Sequence, residues 1–220
     1  MKILWLCRIA TDRQGLTELA HAMMRPVRGN CFRSFLRLLY TLLLYLLMPL
    51  VLLRLWWRGR RNPGYRERTA ERFGIYSGTI PGGCIWIHAV SVGESQATQP
   101  LMRWISENLP DVPVVISTTT PTGADRVAQM YGDTVTRVYF PYDLPFAIRR
   151  ALHAFRPRLI VVMETEIWPN LFHDAETRGI PILIANARIS PRSFGSYRRF
   201  RKLTAAALAR VSHIAAQSSA

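Results

Sequence analysis

The sequence predicts an α/β fold: a parallel sheet with helices on both faces, preceded by a separate apolar helix. Six short apolar runs alternate with stretches of helical spacing between residues 81 and 220. Each run is continuous and does not alternate apolar with polar residues, which is typical of parallel strands buried on both faces. This order of strands and helices indicates a Rossmann-like domain over residues 81–220.

The predicted strands and helices follow one another in a regular order. The strands are the segments GCIWIHAV, VPVVIST, TVTRVYF, RLIVVME, IPILIAN and VSHIAAQ. The helices between them cover residues 91–108, 122–131, 146–155, 170–178 and 198–210. Because no repeat and no low-complexity linker interrupts the alternation, we expect these elements to form one domain.

The apolar helix precedes this domain. Residues 38–53 carry no charge, and the stretch extends to 35–57 if Arg37 and Arg54 are admitted near its ends, where they could reach the interface. Pro49 is tolerated in a membrane helix, and the following WWRGRR resembles an aromatic and basic membrane border. We expect residues 35–57 to form a membrane anchor, either a true span or a shallow insertion. The alternative is a core helix of a soluble protein.

The charge of the chain is strongly positive and unevenly distributed. The formal net charge is +15, and the first 68 residues contain 13 basic and only 3 acidic residues. Positive charge beside an apolar helix suits anionic lipid headgroups better than DNA, so no nucleic-acid partner is expected. Residues 1–34 match no motif and are an unassigned leader, whereas residues 58–80 are interpreted as a basic linker.

The sequence contains no motif for a metal or a cofactor. Cys7, Cys31 and Cys84 are far apart, so buried or free thiols are expected instead of a zinc site or a disulfide framework. Neither a Walker loop nor a G-x-G-x-x-G turn follows the first strand. His88 and His153 have no further metal-type residue at a useful spacing and are interpreted as structural. We therefore predict no cofactor and no metal site.

Function in such a sheet concentrates at the carboxyl ends of the strands, and Glu94 is the first candidate there. It follows the first strand and opens a helix, so its carboxylate could act as a general base toward an acceptor hydroxyl. An ordinary first-turn glutamate is the alternative, and the residue taken alone favours it. Because a helix N-terminus weakens a carboxylate as a base, burial or a neighbouring carboxylate would have to counteract that effect.

Glu164 and Glu166 form a second candidate at the end of the fourth strand. Strand alternation predicts that both side chains lie on the same face of an extended segment. Two like charges at a buried strand end are costly unless they bind something or share a proton, which favours a functional role over a solvated loop edge.

A hydroxyl-rich turn, STTTPTG, follows the second strand. Its backbone N–H groups could face an anion at a helix N-terminus, although the turn alone is a weak signal.

Several motifs together resemble one known family. The segments are LLYTLLLYLLMPLVLLRLWWRGRRNPGYRERTAERFG, HAVSVGE, TTTPTGADRV, YFPYDLP, METEIWPN and IANARIS. They resemble the 3-deoxy-D-manno-octulosonic acid (Kdo) transferases of Gram-negative bacteria, collinearly from about residue 35 to the last residue. The resemblance implies a GT-B glycosyltransferase, in which two Rossmann-like domains face a cleft. The N-terminal domain would receive the lipid acceptor, and the C-terminal domain would bind the donor.

The resemblance also implies roles for individual residues. Glu94 matches the proton acceptor of the family, and Glu164 matches a position that stabilises the transition state. The residues expected around the acceptor sugar are Ser91, Gly93, Thr120, Thr122, Gly123, Glu166, Asn186 and Arg188.

The implied reaction is a single inverting displacement in lipopolysaccharide core biosynthesis. Glu94 would deprotonate a glucosamine hydroxyl of the lipid A precursor (lipid IVA), which attacks the anomeric carbon of CMP-Kdo while cytidine monophosphate departs. No covalent intermediate and no protein-bound metal are implied. The implied location is the inner membrane of a Gram-negative bacterium, with the catalytic domain on its cytoplasmic face.

Two other function classes compete with this interpretation. The chain ends where the family continues into its donor domain, so we expect it to be the acceptor half and to be inactive alone. A non-catalytic, membrane-bound glycolipid-binding module is therefore the main alternative. Nucleic-acid binding rests only on the charge, and the location of that charge beside the anchor argues against it.

Overall fold

The computed structural model describes residues 30–187 and 199–216, with the side chains described from residue 34 onward. A six-stranded parallel sheet forms the centre of the molecule, in the order β3-β2-β1-β4-β5-β6. The strands are β1 (Ile85–His88), β2 (Val114–Thr118), β3 (Thr136–Tyr139), β4 (Leu159–Met163), β5 (Ile182–Ala187) and β6 (His213–Ala216). The parallel α/β class predicted from the sequence is confirmed.

The helices are α1 (Asn30–Arg61), α2 (Val92–Ala97), α3 (Gln99–Asn108), α4 (Pro121–Tyr131), α5 (Pro145–Phe155), α6 (Pro169–Thr177) and α7 (Arg201–Leu208). Short 3₁₀ helices cover Pro63–Tyr65, Thr69–Phe73 and Gly132–Thr134. The single helix predicted over residues 91–108 is wrong, because two helices meet at Thr98. Pro100 explains the break, since it lacks the N–H that would continue the first helix.

The order of the strands reverses at the centre of the sheet. β1 pairs with β2 on one side and with β4 on the other, and His88 lies opposite Val162 in the second pairing. In open parallel sheets of this order, ligands bind outside the carboxyl ends of the strands at the point of reversal. The loops that follow β1 and β4 therefore flank the expected crevice.

Two apolar clusters cover the two faces of the sheet. Side chains alternate along each strand, so Trp86 belongs to one cluster and Ile87 to the other. The Trp86 indole N–H donates to Ser117 Oγ over 2.8 Å, which satisfies the one polar atom of a fully buried ring. Cys84 is a buried free thiol in the first cluster, as the sequence predicts.

The stretch interpreted as a basic linker contains buried charged residues. Glu71 accepts two hydrogen bonds from the Arg68 guanidinium, at 2.6 and 2.9 Å, and one from the backbone N–H of Tyr139 at 2.7 Å. The Arg72 side chain donates to the carbonyl of Thr119 over 3.0 Å. These contacts fix residues 68–72 against the ends of β2 and β3.

Helix α1 is long and apolar enough to cross a membrane and is a candidate anchor. It contains Pro49 and continues to Arg61, four residues beyond the predicted end of the anchor. Most of its large apolar side chains are exposed, and from residue 34 onward its buried residues are Thr41 and Gly59. A soluble core helix would bury most of these side chains, so this alternative does not fit the structure.

A carboxylate cluster at the carboxyl edge of the sheet

Three glutamates gather where the strand order reverses. Glu94 lies in the first turn of α2, just after β1, whereas Glu164 and Glu166 follow β4. The charge of Glu164 acts on the pKa of Glu94, and the charges of Glu94 and Glu164 both act on the pKa of Glu166. The structure thus brings together the three acidic residues that the sequence singled out on separate loops.

Glu94 is held by hydrogen bonds at the start of α2. Its Oε2 accepts from the backbone N–H of Val90 over 2.7 Å, and its Oε1 accepts from the Ser91 hydroxyl over 2.9 Å. Ser91 is the N-cap of the helix, and its Oγ accepts in turn from the Glu94 N–H at 3.4 Å. This reciprocal arrangement is a form of capping box, so the carboxylate has a fixed orientation before any ligand binds.

Burial raises the pKa of Glu94 above its ordinary value, and the nearby charge of Glu164 raises it further. The hydrogen bonds from Val90 and Ser91 oppose this effect because they stabilise the ionised form. For Glu94 to act as a base, burial or a second carboxylate must counteract the helix N-terminus. Both are present, and their effect is to raise the pKa of Glu94.

Glu166 has the most clearly perturbed carboxyl group of the cluster. Burial raises its pKa to about 7, and the charges of Glu94 and Glu164 add to the shift. A carboxylic acid with this pKa exchanges its proton near neutral pH, which is the property of a general acid or base.

The predicted geometry of the acidic pair is wrong. β4 ends at Met163, and Glu164 adopts a left-handed conformation with φ of 57°, so the segment is no longer extended where the two glutamates lie. Strand alternation therefore does not explain why Glu164 and Glu166 lie close together. The left-handed turn after β4 brings Glu164 and Glu166 close together instead. This turn strains the backbone, and such strain is common at functional sites.

Asn186 lies beside Glu164 on the neighbouring strand. Met163 pairs with Ala185, the Glu164 N–H donates to the Ala185 carbonyl over 2.8 Å, and Asn186 also has φ of 57°. The pairing of β5 with β6 shifts register between Ile184 and Ala187, so the edge is irregular there. Arg188, the other residue of the predicted NAR motif, lies outside the described residues.

The hydroxyl-rich turn after β2 is largely occupied by its own hydrogen bonds. Thr120 is the N-cap of α4, and its Oγ1 accepts from the Gly123 N–H at 3.1 Å and from the Thr122 hydroxyl at 3.4 Å. The Ala124 N–H donates to the Thr120 carbonyl at 3.0 Å, and Pro121 has no N–H. Of these first-turn groups, the backbone N–H of Thr122 is the one left to face an anion.

Gly93 and Gly123 differ in the space around them. A Cβ placed on Gly93 would meet nothing within 4 Å, so this first turn of α2 borders open space beside Glu94. A Cβ on Gly123 would instead lie 3.0 Å from Thr120 Oγ1 and 3.4 Å from the Val90 carbonyl. Gly123 therefore permits α4 to pack closely against the loop after β1, and Gly93 leaves room for a ligand.

An aromatic stack lies beneath this edge. His88 is fully buried, its ring stacks on Phe140 with centroids 3.8 Å apart, and its Nδ1 lies 3.0 Å from Ser117 Oγ. Burial lowers the pKa of His88 to about 3, so the ring is neutral. Trp168 lies half-buried on the same Phe140 ring at 4.7 Å. These positions agree with the structural role that the sequence suggested for His88.

Sequence reasoning missed three polar residues at this edge. Arg72 is buried beneath the turn after β2, Asp143 is buried after β3, and Asn170 is buried at the start of α6. Asp143 and Asn170 belong to the strand-end segments FPYDLP and METEIWPN, so polar residues within apolar surroundings were the available signal. Within residues 30–187 and 199–216, no three His, Cys, Asp or Glu side chains are grouped so that they could hold a metal ion.

The chain is similar to one family of known proteins. The sequence model described as 3-deoxy-D-manno-octulosonic-acid transferase (kdotransferase) matches residues 67–220. A 3-deoxy-D-manno-octulosonic acid transferase of Haemophilus influenzae is 43% identical over 183 residues, which cover 82% of this chain and 43% of the relative.

Two further relatives carry related names. One from Bordetella pertussis with the same name is 39% identical over 163 residues, covering 70% of this chain and 38% of the relative. A probable mitochondrial one from Arabidopsis thaliana is 38% identical over 161 residues, covering 73% of this chain and 36% of the relative. The chain thus spans about two fifths of the length of each of these three relatives.

Proposed function

This chain belongs to the 3-deoxy-D-manno-octulosonic acid transferase family, and we propose that it is the acceptor-binding half of a GT-B glycosyltransferase. The enzyme transfers Kdo from CMP-Kdo to the lipid A precursor, lipid IVA, in lipopolysaccharide biosynthesis. The observation that carries the proposal is the position of Glu94. It combines a raised pKa, a fixed orientation and open space at Gly93, and it lies where ligands bind in sheets of this order.

Glu94 is the proton acceptor of the reaction. Its carboxylate removes the proton from a glucosamine hydroxyl of the acceptor as that oxygen attacks the anomeric carbon of Kdo. The bond from that carbon to the phosphate oxygen breaks, and cytidine monophosphate leaves with the electron pair, which gives inversion in one step. A raised pKa suits this role because a stronger base takes the hydroxyl proton more readily.

Glu164 stabilises the transition state. Positive charge develops on the anomeric carbon as the leaving group departs, and a nearby carboxylate lowers the free energy of that charge. The strained left-handed backbone of Glu164 supports this role, since strain of this kind concentrates where a side chain must be aimed at a ligand.

The remaining site residues bind or position the acceptor sugar. Gly93 admits the sugar beside Glu94, and Glu166 and Asn186 contact its polar groups from the adjacent strand ends. Ser91 and Thr120 act mainly as N-caps that fix the loops around the sugar. Thr122, Gly123 and Arg188 also contact the sugar.

Donor binding belongs to a part of the enzyme that these residues do not provide. The relatives are more than twice as long as the segment that aligns with this chain. Loss of a single donor that stabilises developing negative charge costs about 3–4 kcal/mol in an oxyanion hole, so a reaction that releases a phosphate needs such groups. We therefore assign the CMP-Kdo site to the other half of the enzyme and expect negligible transfer from residues 1–220 alone.

Helix α1 attaches the enzyme to the inner membrane of a Gram-negative bacterium, with the catalytic domain on the cytoplasmic face. The exposed leucines of the helix and the arginines at its end support attachment to an anionic lipid surface. An attached enzyme meets its lipid acceptor without extracting it from the bilayer.

The experiment that tests the proposal measures transfer of Kdo from CMP-Kdo to tetraacylated lipid A precursor in detergent micelles. It compares this chain, the chain joined to the donor-binding part of the Haemophilus influenzae relative, and the joined form carrying Glu94→Gln. Glu107→Gln is the matched control because Glu107 is an exposed glutamate on the adjacent helix α3.

We expect transfer by the joined form and by its Glu107→Gln variant, with a loss of about 10²- to 10⁴-fold in Glu94→Gln. A joined form that is folded but silent would contradict the transferase function. If that form still binds lipid A precursor, the chain is a glycolipid-binding module without turnover.

A further inference from the structure

The N-terminal end of α1 is bound to the α/β domain by polar side chains. The Tyr40 hydroxyl donates to Asp143 Oδ2 over 3.0 Å. Asn170 Oδ1 accepts from the Thr41 hydroxyl at 3.1 Å and from the Arg37 guanidinium at 3.3 Å. Between Arg37 and Leu44 the helix is otherwise all leucine, and the three polar side chains of this stretch all donate to the domain.

The domain side of this contact is a buried and satisfied network, which we call the Asp143–Asn170 node. The Asp143 carboxylate also accepts from the backbone N–H groups of Asn170 at 3.0 Å and Leu171 at 2.8 Å, so it caps α6 from another loop. The Asn170 side-chain amide donates to the Asp143 carbonyl over 2.6 Å. Asp143 is 3% exposed and Asn170 is fully buried, so α1 is part of what covers them. If α1 separated from the domain, the polar groups of this network would lose hydrogen-bond partners, which costs free energy.

The segment that follows the C-terminal end of α1 is also tied to the domain. The Tyr139 hydroxyl donates to the Gly64 carbonyl over 3.4 Å, and Glu71 binds the backbone of Tyr139. The chain that leaves α1 at Arg61 is therefore fixed against the end of β3 within ten residues.

These two attachments are incompatible with a helix that stands upright across a bilayer. The segment from Arg37 to Arg58 is about 30 Å long at 1.5 Å per residue, which is about the thickness of the hydrocarbon core. If this segment crossed that core, Tyr40 and Thr41 would be separated from the domain by lipid, and the Asp143–Asn170 node could not form. We propose that α1 lies along the domain and inserts in-plane into a single leaflet of an anionic phospholipid bilayer. This inference refines the membrane attachment proposed above and rests on it.

The exposure of the side chains along α1 matches an in-plane helix. The side chains of one stripe are half-buried: Arg37, Tyr40, Leu44, Met48, Val51 and Leu55. Those of another stripe are between 55% and 74% exposed: Leu39, Leu42, Leu46, Leu50, Leu53 and Trp57. Because each residue turns the helix by about 100°, the two stripes lie on opposite faces. One face covers the domain, and the other is a continuous apolar strip for lipid.

Basic residues favour an anionic surface over a neutral one. Arg54, Arg58, Arg60 and Arg61 are exposed at the C-terminal end of the helix. The Arg60 guanidinium lies 3.9 Å from the centre of the Trp56 ring, which couples a charged group to an aromatic one at the depth of the headgroups.

The position of the node explains what an in-plane helix achieves. Asp143 follows β3 and Asn170 follows β4, so α1 docks at the same edge of the sheet as the carboxylate cluster. Asn170 is four residues beyond Glu166. A helix lying in one leaflet at this edge keeps the crevice at the lipid surface, where an acceptor with acyl chains presents its sugar.

The test measures the depth of α1 in vesicles that contain phosphatidylglycerol. One accessible cysteine at a time, carrying an environment-sensitive fluorophore, is introduced as Leu39→Cys, Leu46→Cys or Leu53→Cys after Cys7→Ser and Cys31→Ser, while the fully buried Cys84 is kept. Quenching by lipids spin-labelled at shallow or deep acyl positions gives the depth of each site. Leu44→Cys is the matched control, since it lies near Leu46 in the sequence but on the face that covers the domain.

An in-plane helix predicts equal, shallow quenching at 39, 46 and 53 and at least threefold weaker quenching at 44. A spanning helix predicts the deepest quenching at 44 and 46 alike, with 39 and 53 shallower, and this outcome overturns the inference. Failure of the chain to remain with the vesicles overturns membrane attachment as well. None of these outcomes depends on Kdo transfer, so they are separate from failure of the transferase function.

Discussion

Ser91 and Glu94 cap each other at the start of α2. The Ser91 hydroxyl donates to Glu94 Oε1 over 2.9 Å, and its oxygen accepts from the Glu94 N–H at 3.4 Å. One serine therefore both starts the helix and orients the carboxylate that we propose as the base. Glu94 is both an ordinary first-turn glutamate and the proposed base, and the two interpretations describe the same geometry because capping fixes the position of the carboxylate.

Ser91→Ala tests this double role. We expect the free energy of unfolding to fall by about 1 kcal/mol, because the N-cap is lost. The hydrogen bond from Ser91 lowers the pKa of Glu94, so its removal raises that pKa and moves the acid limb of the pH–activity profile to higher pH. Denaturant titration and the pH dependence of transfer by the form joined to the donor-binding part measure the two effects. Ser106→Ala, an exposed serine on α3, should show neither.

Gly93→Ala distinguishes an effect on ligand binding from an effect on stability. Nothing lies within 4 Å of the added Cβ, and alanine is the better helix former, so we expect unchanged or higher stability by up to about 1 kcal/mol. Transfer should fall at least tenfold if the acceptor sugar occupies that space. Thermal unfolding and the KM for the acceptor are the measurements. Unchanged kinetics in a stable variant would exclude Gly93 from the site.

Glu166→Gln should change how stability depends on pH. The folded-state pKa of about 7 exceeds the ordinary value of 4.5, so the folded protein binds more protons than the unfolded chain between these values. Stability of the parent therefore falls as pH rises through this window. The Glu166→Gln variant does not lose stability in this way, so its free energy of unfolding rises by on the order of 2 kcal/mol relative to that of the parent by pH 8.

Denaturant unfolding at several pH values measures this relative gain for Glu166→Gln. Glu107→Gln, which changes an exposed glutamate, is the matched control. A difference in stability between Glu166→Gln and the parent that stays constant with pH would show that the Glu166 carboxyl is not perturbed by burial.

Asp143→Ala should be strongly destabilising. The carboxylate accepts hydrogen bonds from Tyr40, Asn170 and Leu171, and its loss leaves the half-buried Tyr40 hydroxyl and two buried backbone N–H groups without their acceptor. We expect the free energy of unfolding to fall by about 3 kcal/mol or more. Asp133→Ala removes an exposed carboxylate and should stay within about 0.5 kcal/mol of the parent. Equal effects of the two substitutions would contradict the Asp143–Asn170 node.

Replacing Arg58, Arg60 and Arg61 by glutamine should weaken binding to anionic vesicles. Each arginine near an anionic surface contributes about 1 kcal/mol, so the triple variant should bind roughly a hundredfold more weakly. Binding to neutral vesicles should hardly change, because the leucine face is intact. Sedimentation with anionic and with neutral vesicles measures the two affinities. Arg103→Gln on α3 is the control. If the triple variant lost no more affinity for anionic vesicles than this control, the result would contradict the headgroup contact.

The local features of this fold could be predicted because they depend on residues that are close in sequence. Continuous apolar runs predict the six parallel strands, and the uncharged stretch around Pro49 predicts the apolar helix. The three glutamates and the glycine beside Glu94 were identified as strand-end residues from their motifs. The split of the helix after β1 was missed, although Pro100 was a visible signal.

Other features depend on contacts between distant residues, which no local period encodes. The sequence by itself determined the types of the elements, their order along the chain and the residues at the strand ends, since burial of apolar side chains repeats every two or 3.6 residues. Only the tertiary structure placed β1 beside β4 and so joined Glu94 to Glu164, because strand order depends on how the crossovers pack. Only the tertiary structure bound Tyr40 to Asp143, across 103 residues, since the desolvation of a buried carboxylate is offset only when donors from several elements converge on it.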